Sequence, residues 1–350
     1  MAIDGRGSKS RDDAVVTLEE ALAEETPCAT MFWGGRLGAL ARKTSREVDV
    51  RWISSEVSGE IAGLDTEVTL CPAAGAQDRI VMVMPRSRDE LVWRLKVAAH
   101  ILPEGADLWL AGHAREGIKS CAKTLESWIG SVATVRTKRH CRVLRARMEK
   151  PRSPEPSMLD HETRFTWSMS TGESLEMATV PGTFAHGRVD HGARVMLGVV
   201  ESVKKATRVL DLGSGAGILG GTLAKRFPEA QIDLVDHSAA AFVSIGRMVA
   251  LNELDPARVR AHLGSVENAP KGPFDLVVTN PPFHEGRHQN RTLVDDFADS
   301  ARARLTRSGT LLLVANRHLG YAEALRARFA HVDVAYEDTR FRVWRARGAR

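Results

Sequence analysis

Three glycines at alternate positions, Gly213, Gly215 and Gly217, follow the run Arg208-Val209-Leu210-Asp211-Leu212 and precede a helical pattern that lasts to about Phe227. A strand that turns into a helix through so short a loop needs backbone conformations that a Cβ disfavours. It also leaves bare peptide groups that a ligand can approach. This joint commits the second half of the chain to a strand–helix–strand sheet with its ligand at the strand ends. The downstream rhythm agrees. Residues 231–236, 258–263, 274–279 and 310–315 read as further strands, with helical stretches between them. The last two apolar runs, 332–336 and 341–346, are joined by only Glu337-Asp338-Thr339-Arg340. A parallel pair needs a long crossover, so these two strands form an antiparallel hairpin.

A parallel sheet closed by an antiparallel hairpin is not a plain dinucleotide fold. The loop also departs from the Gly-x-Gly-x-x-Gly of NAD sites, because its third glycine comes one residue early and Asp211 precedes the first. Asp236, at the end of the second strand, stands where a carboxylate reaches ribose hydroxyls; the plainer alternative is an acid at a helix N-terminus. Loop, acid and hairpin together favour S-adenosylmethionine over NAD.

The fourth strand ends in Asn280-Pro281-Pro282-Phe283. An exocyclic amine or an amide nitrogen attacks poorly while its lone pair is delocalised. Two acceptors that take its N–H bonds aim the lone pair at an electrophile. Asn280 offers a side-chain carbonyl and Pro281 a backbone carbonyl. The prolines stiffen the loop before substrate arrives, and Phe283 can stack on a flat base. His284 and His288 follow, but Gly286 between them argues against a helical metal pair, and no Cys or His spacing suits zinc.

The first half alternates strand and helix as well. Residues 79–84 read as a strand, Ser87 caps a helix over 88–102, residues 106–111 read as another strand, and two more fall near 131–137 and 140–148. Gly112 to Gly117 after a strand resembles a phosphate-binding turn, with Arg115 and Lys119 as phosphate contacts, but its two glycines stand five apart. Residues 136–152 carry eight bases against Glu149 alone, which favours a polyanion partner over a solvated edge strand. Pro151 to Ser157 reads as a linker. The expected layout is a disordered tail over 1–13, a degenerate α/β domain over 14–150, a linker over 151–158 and a second α/β domain over 159–350. The chain carries 49 Lys and Arg against 44 Asp and Glu, a mild basic excess that suits nucleic acid without requiring it. No signal segment, membrane span or paired-cysteine framework is legible, so a cytoplasmic protein is expected.

The stretch Val209 to Gly217, taken with Asn280-Pro281-Pro282-Phe283-His284-Glu285-Gly286, resembles the class I S-adenosylmethionine-dependent methyltransferases. More narrowly it resembles the ribosomal RNA small-subunit (16S rRNA) guanine-N2 methyltransferases of the RsmC type. The resemblance covers most of the chain. Gly112 to Ser120 and Arg139-His140-Cys141 resemble signatures of that family's N-terminal domain. Pro181-Gly182-Thr183-Phe184 and Asp190-His191-Gly192 resemble the segment before its cofactor loop. It implies an α/β chain of two tandem Rossmann-like methyltransferase-type domains. The C-terminal one has a seven-stranded sheet with a terminal antiparallel hairpin, and the N-terminal one is degenerate. It further implies that Asp211, Gly213, Gly215 and Gly217 hold the methionine end of S-adenosylmethionine, with Asp236 at the ribose; Ser214, Asn280 and His237 are expected at the cofactor too, although His237 departs from the family's usual wording. Ser265 lies at the adenine, where many relatives place an acid. Asn280 and Pro281 take the target amine, Phe283 stacks on guanine, and Phe184 and Asp190 lie near the base. The implied substrate is ribosomal RNA or the small subunit, with no metal. The competing readings are a glutamine-N5 methyltransferase of release factors, a DNA adenine-N6 enzyme, and a non-catalytic RNA-binding assembly factor.

Overall fold

The computed structural model describes residues 6–46, 48–54, 56, 65–75, 77–282 and 287–349. It divides into two units, Met1–His161 and Glu162–Arg350.

The first unit runs α1 (Arg6–Leu22), β1 (Thr30–Trp33), α2 (Gly38–Thr44), β2 (Val50–Ser54), β3 (Asp65–Val68), β4 (Arg79–Val83), α3 (Arg88–Ile101), β5 (Asp107–His113), α4 (Ala122–Trp128), β6 (Val132–Lys138) and β7 (Cys141–Arg147). Its seven strands are ordered β3-β2-β1-β4-β5-β7-β6. Pairing is parallel as far as β5, and β7 runs antiparallel to both β5 and β6. Strands β4 and β5 are almost wholly buried because helices cover both faces of the sheet. Ala14, Leu18 and Ala21 of α1 enter one of the two cores. That docking explains why α1 begins at Arg6, although a tail to residue 13 was expected. Once one turn is pinned, each added residue gains a hydrogen bond at little further cost. The Pro-rich segment expected as a linker lies along α3: Ser153 N donates to Ala99 O at 3.1 Å, and Arg152 reaches Ile101 O.

The second unit opens with a separate hairpin, β8 (Thr163–Ser168) and β9 (Ser174–Thr179). It continues α5 (His191–Val200), β10 (Arg208–Leu212), α6 (Ile218–Arg226), β11 (Gln231–Asp236), α7 (Ala239–Leu251), β12 (Val259–Leu263), β13 (Phe274–Thr279), α8 (Arg287–Arg304), β14 (Leu305–Asn316), α9 (Tyr321–Arg326), β15 (Phe329–Glu337) and β16 (Phe341–Ala349). The strand order, β12-β11-β10-β13-β14-β16-β15, repeats that of the first unit position for position. The expected hairpin is present, but its second strand pairs antiparallel with β14 as well as with β15, so β16 lies inside the sheet. One face packs on α5, α6 and α7 and the other on α8 and α9. Val294, Phe297, Ala298 and Ala301 of α8 are buried at the spacing of a single helical stripe. The chain winds outward from β10 to β12, then crosses back to β13. Strand direction of travel therefore reverses between β10 and β13, and a crevice opens beyond their C-terminal ends.

Candidate active site

The crevice is lined by Gly213, Ser214, Gly215 and Ala216 of the glycine loop, by Ile218 and Leu219 of α6, by Asn280 after β13, and by Phe165 with the 184–193 segment. The three alternate glycines adopt φ of 69°, 54° and 82°, the left-handed region that a Cβ disfavours. The loop is braced from behind. Gly213 N and Ser214 N both donate to Val235 O, at 2.9 and 3.0 Å, and Ser214 Oγ donates to Asp211 O. Thr279 Oγ1 donates to Leu212 O at 2.7 Å, tying the end of β13 to the end of β10.

Of the two acids expected at the cofactor, Asp236 braces the loop and Asp211 the first turn of α6. Asp236 accepts from Gly215 N at 2.8 Å through Oδ2 and from Ser238 N at 2.9 Å through Oδ1. His237 Nδ1 stands 3.4 Å from the same carboxylate. Gly264 N donates to Asp236 O, which sets Ser265 just beyond that strand end. Asp211 is fully buried behind the loop: Oδ2 accepts from Gly220 N at 2.9 Å, and Oδ1 has no partner among the described residues. Burial pushes its carboxyl up to about 7, with the charge of Asp236 adding to the rise and the Gly220 N–H opposing it. A carboxyl whose folded value lies above its unfolded one favours the protonated native state. Its contribution is complete below about pH 4 and is lost as pH rises through about 7. Asp211→Asn is therefore expected to flatten the fall in ligand-free melting temperature between about pH 5 and about pH 8. Thermal unfolding across that range checks this, and parallel curves for the two proteins would refute it.

On the opposite wall, Thr183 Oγ1 shares a hydrogen with Ser244 Oγ at 2.8 Å, and Ser244 Oγ also accepts from Val180 N. This pins the turn that presents Phe184, which remains 47% exposed at the cleft, beside Ala185 at φ 56°. Asp190 caps α5 by accepting from Ala193 N at 3.2 Å, and its Oδ2 also accepts from Asn280 Nδ2 at 3.1 Å. Asn280 Oδ1 is buried and has no donor among the described residues. Pro281 follows and is buried. Phe283, with His284 to Gly286, lies outside the described residues, as does the side chain of His288. The structure thus brings Gly213, Ser214, Gly215, Phe184, Asp190 and Asn280 around one crevice and sets Asp211 and Gly217 behind it. Phe165 and Arg188 line it without having been singled out in the sequence. The alternation of Phe165 and Trp167 along β8 was the one signal for the first; a lone arginine before Asp190 gave none for the second.

Arg115 and Lys119 belong to the first unit, where both are exposed. The turn that carries them is built for packing, in keeping with a degenerate domain. Strand β5 continues through Gly112 and His113, and a Cβ on Gly112 would meet Met84 Cγ at 2.3 Å, so Gly112 serves packing. His113 Nδ1 accepts from Arg115 N, and Glu116 accepts from His113 N. The basic run also differs from an open polyanion surface. Arg136, Lys138 and Arg139 pair with Glu20 of α1, Arg136 also with Glu24, and Arg145 and Arg147 with Asp107. Five of the eight bases therefore meet acids within the unit. The hydrogen bond from Lys138 is the chief cause that holds the Glu20 carboxyl below its usual range. At the end of β1, where the second unit has its open loop, Arg94 fills the space. It is 6% exposed, donates to Trp33 O at 3.4 Å and pairs with Glu90 at 2.6 Å. A guanidinium therefore stands at the end of β1, the place that the glycine loop takes in the second unit.

Among the described residues no group of His, Cys, Asp and Glu could hold a metal ion, and no helix is long and apolar enough to cross a membrane. Two family descriptions match the chain: the methyltransferase small domain over residues 174–345 and its N-terminal counterpart over 52–159. The ribosomal RNA small subunit methyltransferase C of Hahella chejuensis is 34% identical over 316 residues, 89% of this chain and 90% of that protein. Its namesake from Stutzerimonas stutzeri is 34% identical over 278 residues, 79% of this chain and 81% of its own. Among solved structures, a T. thermophilus 16S rRNA N2 methyltransferase (RsmC) in complex with AdoMet and guanosine matches with a TM-score of 0.80 at 25% identity. That match spans 96% of this chain and 92% of the other.

Proposed function

Since the chain belongs to the ribosomal RNA small subunit methyltransferase C family and is an S-adenosylmethionine-dependent methyltransferase, we propose that it methylates the exocyclic N2 amine of a guanine in small-subunit ribosomal RNA. The observation that carries this reading is the unpartnered carbonyl of Asn280 at the switch point, beside the glycine loop. A buried acceptor without a donor costs about 1–3 kcal/mol, which a substrate N–H returns.

The residues present fit the cofactor. A Cβ on Gly215 would meet nothing within 4 Å, so the loop offers bare backbone at the cleft, and Ile218 and Leu219 give that wall an apolar surface. Gly213, Ser214 and Gly215 would hold the methionine end, with Asp211, Gly217 and Asp236 keeping the loop in shape. Asp236, His237 and Ser265 would serve the nucleoside end. S-adenosylmethionine supplies a methyl group on a sulfonium that leaves as a neutral thioether. The chain's own part is positioning. Asn280 and the carbonyl of Pro281 accept the amine hydrogens and direct the nitrogen lone pair. No strong base is needed, because the amine loses a proton to water once it is alkylated. A paired guanine hides its amine, so the base must be unstacked first. Phe184 at the rim and Phe283 after the loop offer the faces that receive it, and Arg188 at the cleft, with Arg115 and Lys119, offers charge for the backbone. Such a substrate places the protein in the cytoplasm with ribosomes.

The test is transfer of labelled methyl to unmethylated small subunits, free small-subunit RNA and release factor, followed by identification of the modified unit. N2-methylguanosine in either RNA-containing substrate is the expected product. Label in a release-factor glutamine, or another modified nucleoside, would overturn the reading.

A further inference from the structure

We infer that Asp190 is a positioning residue that locks the Asn280 side-chain amide in a single orientation, so that its carbonyl and never its amino group is left for the substrate amine. This rests on the proposed role of Asn280 and adds a second residue, ninety positions away, that makes the role possible.

A side-chain amide has two ends of nearly equal size and opposite polarity. A free Asn280 would present its NH2 to an incoming amine as readily as its carbonyl, and two donors facing each other repel. Asp190 removes the ambiguity. Asp190 Oδ2 accepts, and the atom that donates to it at 3.1 Å is Nδ2. Oδ1 is then the end left over, and it is the end without a partner.

Asp190 is itself held. The same Oδ2 accepts from Ala193 N at 3.2 Å as the cap of α5, so the carboxylate cannot swing away without uncapping a ten-residue helix. Gly192 supplies the clearance. A Cβ there would stand 2.9 Å from Asn280 Oδ1, 3.0 Å from Asp190 Oδ2 and 3.3 Å from Phe341 Cε1. Any side chain at this position would push the two polar groups apart. The start of α5 is thus a jig for Asn280, fixed to a rigid element as a preorganised site requires.

Asp190→Ser separates the two tasks. Serine caps helices about as well as aspartate, but its hydroxyl is too short to hold the amide of Asn280. The expected result is a kcat reduced about 10- to 100-fold, with affinity for S-adenosylmethionine within about twofold and little change in melting temperature. Asp190→Asn, which keeps the length but can donate as well as accept, should fall between wild type and the serine variant. The side-chain amide resonance of Asn280, identified by its loss in Asn280→Ala, should shift in Asp190→Ser toward that of a solvent-exposed asparagine. Wild-type kcat in Asp190→Ser, or an unshifted amide resonance, would overturn the inference. So would a loss confined to the KM for RNA, since Asp190 would then touch the substrate directly. Failure of the Asn280 reading is separately visible: Asn280→Ala would stay active, whatever Asp190→Ser does.

Discussion

Asn280→Ala is expected to slow methyl transfer by about 10²- to 10³-fold, the loss typical when one preorganised polar partner of the reacting group is removed. Binding of S-adenosylmethionine should stay within about twofold, because the loop that would carry the cofactor is held by other bonds. Gly213, Ser214 and Gly215 are fastened to Val235 and Asp236, and none of those bonds involves Asn280. The fold should survive as well. Thr279, one residue earlier, makes the buried bond that joins β13 to β10. Alanine at 280 removes an unsatisfied oxygen but also the hydrogen bond that the amide nitrogen donates to Asp190, so the two effects oppose each other and melting temperature should change little. Single-turnover transfer on the RNA substrate, cofactor titration calorimetry and thermal unfolding together check the three parts. Near-normal turnover would remove Asn280 from the reaction.

The second large effect is expected from two glycines two residues apart that fail in opposite ways. Gly215 sits at φ 54°, and a Cβ there meets nothing. Gly215→Ala should cost only the left-handed penalty of about 1–2 kcal/mol. Its methyl group points into the space proposed for the cofactor, so affinity for S-adenosylmethionine should fall more than about tenfold. Gly217 sits at φ 82°, and its added Cβ would stand 3.1 Å from Ile245 Cγ1, Leu234 Cδ2 and Met248 Cε. Gly217→Ala should therefore destabilise the unit by about 2–4 kcal/mol, combining backbone strain with overpacking. Its effect on the cofactor should be secondary. Denaturant unfolding and titration calorimetry on both variants separate the cases. If Gly215→Ala binds normally, the cofactor does not lie along this loop.

The parts of this molecule that were legible beforehand are those encoded by neighbours in sequence. The glycine loop, the strand ending at Asn280 and the hairpin after β14 each carry their signal within a dozen residues, and from them the methyltransferase-type sheet follows. What escaped depends on residues far apart. The bases of β6 suggested an open polyanion surface because Glu20 and Glu24, which neutralise them, lie more than a hundred positions earlier. What Gly112 packs on had no local signal, because Met84, which presses against it, comes from another strand end. That the Asp211 carboxylate braces α6 through Gly220 had no signal in its neighbours, because Gly220 meets it only once the helix packs behind the loop. The joining of Asp190 to Asn280 had no local trace at all.

The position of β16 bears on how such a chain is born. It is synthesised after both strands it pairs with, yet it lies between them. Until it arrives, β14 has an open edge and β15 has no neighbour, so β15 waits outside the sheet while its partner is still being made. The first unit has the same arrangement, with β7 entering between β5 and β6. Each half of the molecule thus completes its sheet by a late insertion. A nascent chain stalled just short of either strand would expose an unpaired apolar edge of the kind that chaperones recognise and aggregates extend.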